Sequence, residues 1–549
     1  MLLYNKLYEK ILSNKRIIIF CICSFGTGII SIKIGQDINW DLKNYHFYNP
    51  YAFLNDRIMF DFAPAMLQTY INPLIDVLNY WMIYNLKPIV FGFIVGSIQG
   101  INIYILYLIA EKTIVHIDIA FKKWMIFLAC GLGFYGVANV AEIGTTFGDN
   151  IVSLFILYAV YILINHLSIR TYYETYKVNR KALFASGLVM GVGVGLKLTA
   201  AIYPIAFVLA LPWLVKTIKE YIQMNVIYLS SVFIGVMLSA GYWMYILWKN
   251  FSSPLFPFFN SLFKSPHYEF ANFSDTRFLP KDIFQTLFYP YYFITDQRHT
   301  SEFLFKDPHL AICYTLLISF IAFIIYRKCS IKNTGIANNV NYRFFLFFIT
   351  FFSLSYFFWQ KLFSIYRYLI VLEIVSPIFI LIILGLLPIH KKIRAGMFIL
   401  ICVVTLYSIE RMDWGRLPWA DSYFGVEVPK VKNLENSTIF ITGDGPIGYI
   451  IPSFPKTTRF IRIQGNFFTM NIKDTTLYKL RMQKIILQQM NNSSPNYILI
   501  NRLDINNFKS IEYKIGMKID STACVQFQSR LDNDLCLCTF EKIIDRVVY

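Results

Sequence analysis

Charge is scarce in this chain of 549 residues. Asp, Glu, Lys and Arg together make up 15%, whereas 56% of residues are hydrophobic. A soluble protein of this length divides into domains with well-charged surfaces, and too little charge is present here to cover them. Acids are the scarcer sign, 33 against 51 basic residues, and there are only 7 histidines. The net charge of +18 would suit a nucleic-acid binder if it were clustered. It lies instead in short loops between apolar runs, where it sets membrane orientation. Also missing are a Walker loop, a Rossmann fingerprint, HExxH, a serine nucleophile elbow and any Cys/His metal spacing. Soluble-nucleotide chemistry and nucleotide-driven transport lose support accordingly. The glycine-rich TGDGPIG at 442–448 is short and reads as a turn.

What is abundant is apolar sequence in runs of the length that crosses a bilayer, about 20 residues at 1.5 Å each. Spans are expected near 17–34, 89–110, 124–140, 151–168, 183–197, 198–215, 225–248, 309–326, 343–360, 368–387 and 395–410, eleven in all. The pair between 183 and 215 reads as two short tilted helices meeting at a bend, with Gly187, Gly191, Gly193 and Gly195 loosening the first. Lys15 and Arg16 precede the first span and hold the N-terminus in the cytoplasm. Alternating from there, every loop expected inside is basic, including Lys122–Lys123, Arg180–Lys181, Arg327–Lys328 with Lys332, and Lys391–Lys392. No small-residue cleavage site follows the first span, so it reads as a retained signal anchor. An odd number of spans leaves the C-terminus outside.

The expected fold is therefore mainly α. Residues 1–411 form a transmembrane helical bundle with exported loops at 35–88, 141–150 and 249–308, and 412–549 form a small extracytoplasmic α/β domain. Strands are expected at Thr438–Thr442, Tyr497–Asn501 and Ala523–Gln528, with a helix near Leu477–Met490. Of nine cysteines, Cys524, Cys536 and Cys538 fall in this tail, where one disulfide can form across a hairpin turning at 532–534.

Candidate chemistry gathers in the exported segments. The first opens GQDINWDLKNYHFYNP, with Asp37 and Asp41 at the membrane exit, then Tyr45 and His46, and Asp56, Arg57, Asp61 and Asp76 further on. A carboxylate beside a low-dielectric surface can serve as a general base toward a hydroxyl or as ligand to a divalent cation. The second loop, AEIGTTFGDN, brings Glu142 and Asp149 to the same compartment. For a cation, Asp37, Asp41 and Asp149 are the candidate ligands. Lys197, in GVGVGLKLTAA, is a lone cation in a long apolar stretch, and intramembrane charge needs a partner or a cavity. A phosphate suits it, with Gly193 and Gly195 allowing close approach. Arg367, in WQKLFSIYRYLIVLE, can fork onto phosphate oxygens or pair with Glu373. The Pro- and Phe-rich segment SSPLFPFFNSLFKSPHYEF suits an apolar chain.

Taken together, the acidic loop after span one (GQDINWD, KNYH), a second acidic loop before span four (EIGTTFGD) and a soluble exported tail resemble the GT-C superfamily of membrane glycosyltransferases. Those enzymes use sugars carried on polyprenyl phosphates. The likeness covers most of residues 1–410 in arrangement. It departs from branches with adjacent acids at the loop start, since Asp37 and Asp41 are separated. What the resemblance implies is inverting transfer from a polyprenyl-phosphate sugar to a glycan, lipid or protein acceptor. Asp41, or failing it Asp37, is the expected base; Lys197 and Arg367 are expected to hold the departing phosphate. The style of the chain points to a bacterial inner membrane, with the tail periplasmic. Two rivals remain. A polysaccharide polymerase or ligase using diphosphate-linked lipids would draw on Arg277, Arg298 and His299. A secondary transporter would show two similar halves, and no internal repeat is evident.

Overall fold

The computed structural model describes residues 2–170, 175–272, 274–295, 298–330, 340–465, 476–491, 495–501 and 517–542. Lys332, one of the expected cytoplasmic basic residues, lies outside them. The chain is mainly helical, and its contacts divide it into two compact units. The first unit comprises residues 1–35, 92–241 and 275–414; the second comprises 36–91, 242–274 and 415–549.

Six helical stretches are long and apolar enough to cross a membrane: Asn14–Ile34, Pro88–Ile114, Ile218–Phe251, His309–Tyr326, Tyr342–Leu362 and Tyr366–Leu386. They coincide with six of the eleven expected spans. The other five fall on shorter or less apolar helices. Lys122–Phe134 has 13 residues, Asp149–Asn165 and Arg180–Leu196 have 17 each, Ile202–Ala210 has 9, and Lys391–Ser408 has 18. By length and hydropathy, then, the described residues carry six membrane-length helices, and eleven spans remains an expectation.

In the first unit, the Tyr366–Leu386 stretch is the innermost element, 89% buried over its most apolar window. The bend expected between 183 and 215 falls at Lys197. There the Arg180–Leu196 helix ends, the backbone turns extended (φ −147°, ψ 112°), and a 3-10 turn Leu198–Ala201 leads into Ile202–Ala210. The glycines before this bend have a different use from the one expected. A Cβ on Gly191 would collide with the backbone of Val232, and one on Gly195 would meet the Ser239 hydroxyl and Val236. Reciprocally, Gly235 leaves room for the backbone at Leu188 and Val192. Two helices cross here backbone to backbone, as small residues allow in a lipid-exposed bundle. Gly193 faces Phe155. What approaches these glycines is the protein itself rather than a ligand.

The second unit is built on a five-stranded sheet with spatial order Arg459–Arg462, Thr438–Ile441, Asn496–Asn501, Leu535–Lys542, Met517–Phe527. The first three strands are parallel and the last two antiparallel to their neighbours. The helix Leu477–Asn491 precedes the third of these strands in space, Asn496–Asn501, and three of the four tail elements match expectation closely. Cys524 and Cys538, paired across the antiparallel ladder, form the disulfide, and Cys536 stays reduced and buried. The unit is discontinuous in sequence because residues from the first and third loops complete its core. Phe62, Tyr70, Trp243, Phe251 and Phe256 pack with Phe440, Ile461 and Tyr478. Phe62 N donates to Phe460 O, and a buried Arg57–Asp61 pair at 2.8 Å locks the loop further. Asp61 accepts from Tyr48 and from the Phe460 amide, while Arg57 donates to the carbonyls of Lys456 and Thr458. Arg462 donates to Pro64 O, Gly443 O and Gly445 O, so TGDGPIG is indeed a turn, pinned by a guanidinium.

Candidate functional site

In the first unit the 141–150 loop, Lys197 and Arg367 come together. Gly148 sits at φ 83°, where glycine alone is unstrained, and starts the Asp149–Asn165 helix. Asp149 thus lies in the first turn, where the helix dipole favours a carboxylate. Its Oδ1 pairs with Lys197 Nζ at 2.6 Å, and Lys197 also donates to Phe147 O at 2.9 Å. The half-buried lysine therefore has a protein partner, which the apolar sequence around it demanded. The extended backbone at Lys197 is what turns this side chain out of its own helix.

Arg367 belongs to a 3-10 turn, Tyr366–Leu369, leading into the innermost helix. Its guanidinium lies 4.4 Å from the Phe147 ring centroid and 5.2 Å from that of Tyr368, and Lys197 Nζ lies 5.2 Å from the same Tyr368 ring. Two cations thus share one aromatic ring, and Phe147 serves both, one with its carbonyl and one with its ring.

Glu142 completes the cluster. It is fully buried, and among the described residues neither of its carboxyl oxygens has a well-formed hydrogen bond; the Asn150 amide gives only loose support. Asp149 Oδ2 is likewise buried without a hydrogen-bond partner among the described residues. Burial, then the neighbouring Asp149 charge, push the Glu142 carboxyl well above the usual carboxylate range, against the pull of Lys197 and Arg367. Buried polar atoms left without partners are uncommon in proteins. No group of three His, Cys, Asp or Glu side chains that could hold a metal ion occurs among the described residues.

Glu373, the alternative partner expected for Arg367, is committed elsewhere. Its oxygens accept the amides of Ala138 and Asn139 at 3.0 and 2.8 Å and the Tyr366 hydroxyl at 3.1 Å. Asp307 accepts the Val137 amide at 2.9 Å and holds His309 Nδ1 at 2.5 Å, while His309 Nε2 donates to Leu132 O. Burial disfavours the Asp307 charge, yet the His309 contact and these hydrogen bonds hold it down at about 2. Together these groups cap the short helix Val137–Ala141 that presents Glu142. Sequence reasoning missed this frame; the spacing Asp307-Pro-His309 is a signal that could have drawn attention to it.

The remaining expected residues lie in the second unit. Asp37 is buried and both of its carboxylate oxygens accept from Asn39, through the backbone amide and Nδ2. Its backbone pairs with Arg416 in a two-residue ladder. Asp37 is thereby engaged in fixing the loop, and Asp41 is half-buried. Asp41 leads into a π-helical turn, Leu42–His46, which carries Tyr45 and His46. Such turns recur at functional sites. His46 Nδ1 lies 2.6 Å from Asp76 Oδ2.

No family model, curated protein or solved structure matches this chain.

Proposed function

We propose that the protein is an integral-membrane glycosyltransferase of GT-C type, moving a sugar from a polyprenyl-phosphate donor to a glycan, lipid or protein acceptor. The observation that carries this reading is the cluster of buried Glu142 and Asp149 with half-buried Lys197 and Arg367. Two cations lie there at the ends of apolar helices, beside carboxyl oxygens that have no hydrogen-bond partner among the described residues. A lipid-linked phosphate is an anion delivered at such a depth, and fixed cations there stabilise the charge that grows as the sugar leaves.

In this mechanism Asp41 takes the proton from the acceptor hydroxyl as its oxygen attacks the anomeric carbon. The bond from that carbon to the phosphate oxygen breaks, and its electron pair stays on the phosphate, giving inversion. For a divalent cation, Asp37, Asp41 and Asp149 are the candidate ligands. The location proposed is a bacterial inner membrane with eleven spans, N-terminus inside and tail in the periplasm. The Cys524–Cys538 disulfide supports the last point, since such bonds persist in oxidising compartments.

The polymerase or ligase reading draws less support. Arg277, its leading residue, is already paired with Asp275 at 2.6 Å and reaches Glu302 at 3.4 Å, and His299 stacks on Tyr292. The test is release of labelled sugar from synthetic polyprenyl-phosphate sugars by purified protein. Turnover by wild type, lost in Lys197→Ala with folding intact, is expected. Turnover of diphosphate-linked oligosaccharide lipids in its place would favour the polymerase.

A further inference from the structure

The imidazole of His46 is 96% buried, its Nδ1 faces a carboxylate, and its Nε2 has no hydrogen-bond partner among the described residues. At 2.6 Å, Nδ1 donates its hydrogen to Asp76 Oδ2. That fixes the ring and puts the lone pair on Nε2. The carboxylate comes from a separate element, the helix Leu74–Asn85. An aspartate that orients a neutral histidine in this way leaves Nε2 as the acceptor.

The π-helical turn adds the second observation. In a helix closed by i→i+5 hydrogen bonds, residues five apart stack on one face. Asp41, at the N-cap with helical dihedrals (φ −66°, ψ −39°), and His46, at the end of the turn, are five apart. An ordinary α-helix would set them about 140° apart. The π-turn therefore puts the proposed base on one side with an imidazole whose Nε2 has no hydrogen-bond partner among the described residues.

We propose that His46 Nε2 accepts a hydrogen bond from a hydroxyl of the sugar-transfer acceptor, with Asp76 as the positioning residue. This deepens the transferase reading and rests on it for the identity of the ligand, a polyol presenting one hydroxyl to Asp41 and another to His46. Tyr45, whose ring centroid lies 4.2 Å from that of His46, is the side chain whose movement would admit it.

The experiment uses full-length protein with 15N-labelled histidine, the His46 signals being assigned by comparison with His46→Gln. Methyl glycosides of glucose, galactose and mannose serve as probes, and donor turnover is measured on the same preparation. The expected result is a neutral His46 protonated on Nδ1, with an Nε2 resonance that moves on adding a glycoside. In transfer assays His46→Phe should raise the acceptor KM roughly tenfold or more, the cost of losing one hydrogen bond to a buried group. An Nε2-protonated ring, or a His46 resonance indifferent to every glycoside in a preparation that transfers sugar, overturns the proposal. A glycoside response without donor turnover keeps the hydroxyl site and sinks the transferase reading. Absence of both overturns the two together.

Discussion

At the scale of single residues, the balance of charge around Glu142 decides what the cluster can hold. With Glu142 ionised, both it and Asp149 repel an incoming anion. With Glu142 protonated, one of those two negative charges is removed and an anion is better tolerated. Because burial raises this carboxyl, the protonated form is favoured over a wider pH range than an ordinary glutamate allows. Phosphate binding should accordingly weaken as pH rises through the raised pKa, by up to about tenfold per pH unit. Glu142→Gln, always neutral, should flatten that dependence while keeping binding at low pH; inhibition by a polyprenyl phosphate across pH reads both. Lys197→Met would leave Asp149 buried and unpaired, a loss of about 3–5 kcal/mol where no rearrangement compensates, visible as a lower melting temperature. The acids and cations of this cluster were legible in the sequence, because charge in an apolar chain is conspicuous. Their partners were not. That Lys197 meets Asp149, and that Arg367 lies on Phe147 rather than against Glu373, depends on which helices adjoin, which no local pattern encodes.

At the scale of elements, the helix Arg180–Leu196 shows how a sequence signal can be seen and misassigned. Gly187, Gly191 and Gly195 recur every fourth residue on one face, the spacing of close helix contact, and Ser231, Val232 and Ser239 are what they meet in turn. Gly191→Leu should cost about 1–3 kcal/mol by overpacking, measured as thermal unfolding in detergent. The capping of Val137–Ala141 by Glu373 and Asp307 is the other decisive arrangement, since it aims Glu142. Asp307 is held below its unfolded value, so its contribution is full above about pH 4 and is lost as pH falls toward about 2. Asp307→Asn should be less stable at neutral pH and less sensitive across that window in melting curves. These contacts join segments some 170 and 235 residues apart, which is why sequence reasoning saw only scattered acids.

At the scale of the whole molecule, membrane character was the clearest property of the sequence, because composition alone carries it. The count of spans was less legible: helices of 9 to 18 residues, such as Ile202–Ala210 and Lys391–Ser408, are apolar runs whose length does not decide between crossing and burial. The tail strands were readable from alternation, whereas the joining of 36–91 and 242–274 to the tail in one unit was hidden by distance along the chain. The Cys524–Cys538 link closes a short loop, 14 residues in sequence separation, so replacing both cysteines with alanine should cost about 3 kcal/mol of stability. Labelled-sugar release from polyprenyl-phosphate sugars, by wild type, Asp41→Asn and Lys197→Ala side by side, tests the central claim most directly. The account predicts turnover by wild type with at least one donor and its loss in both folded variants. Full turnover in both variants would contradict it.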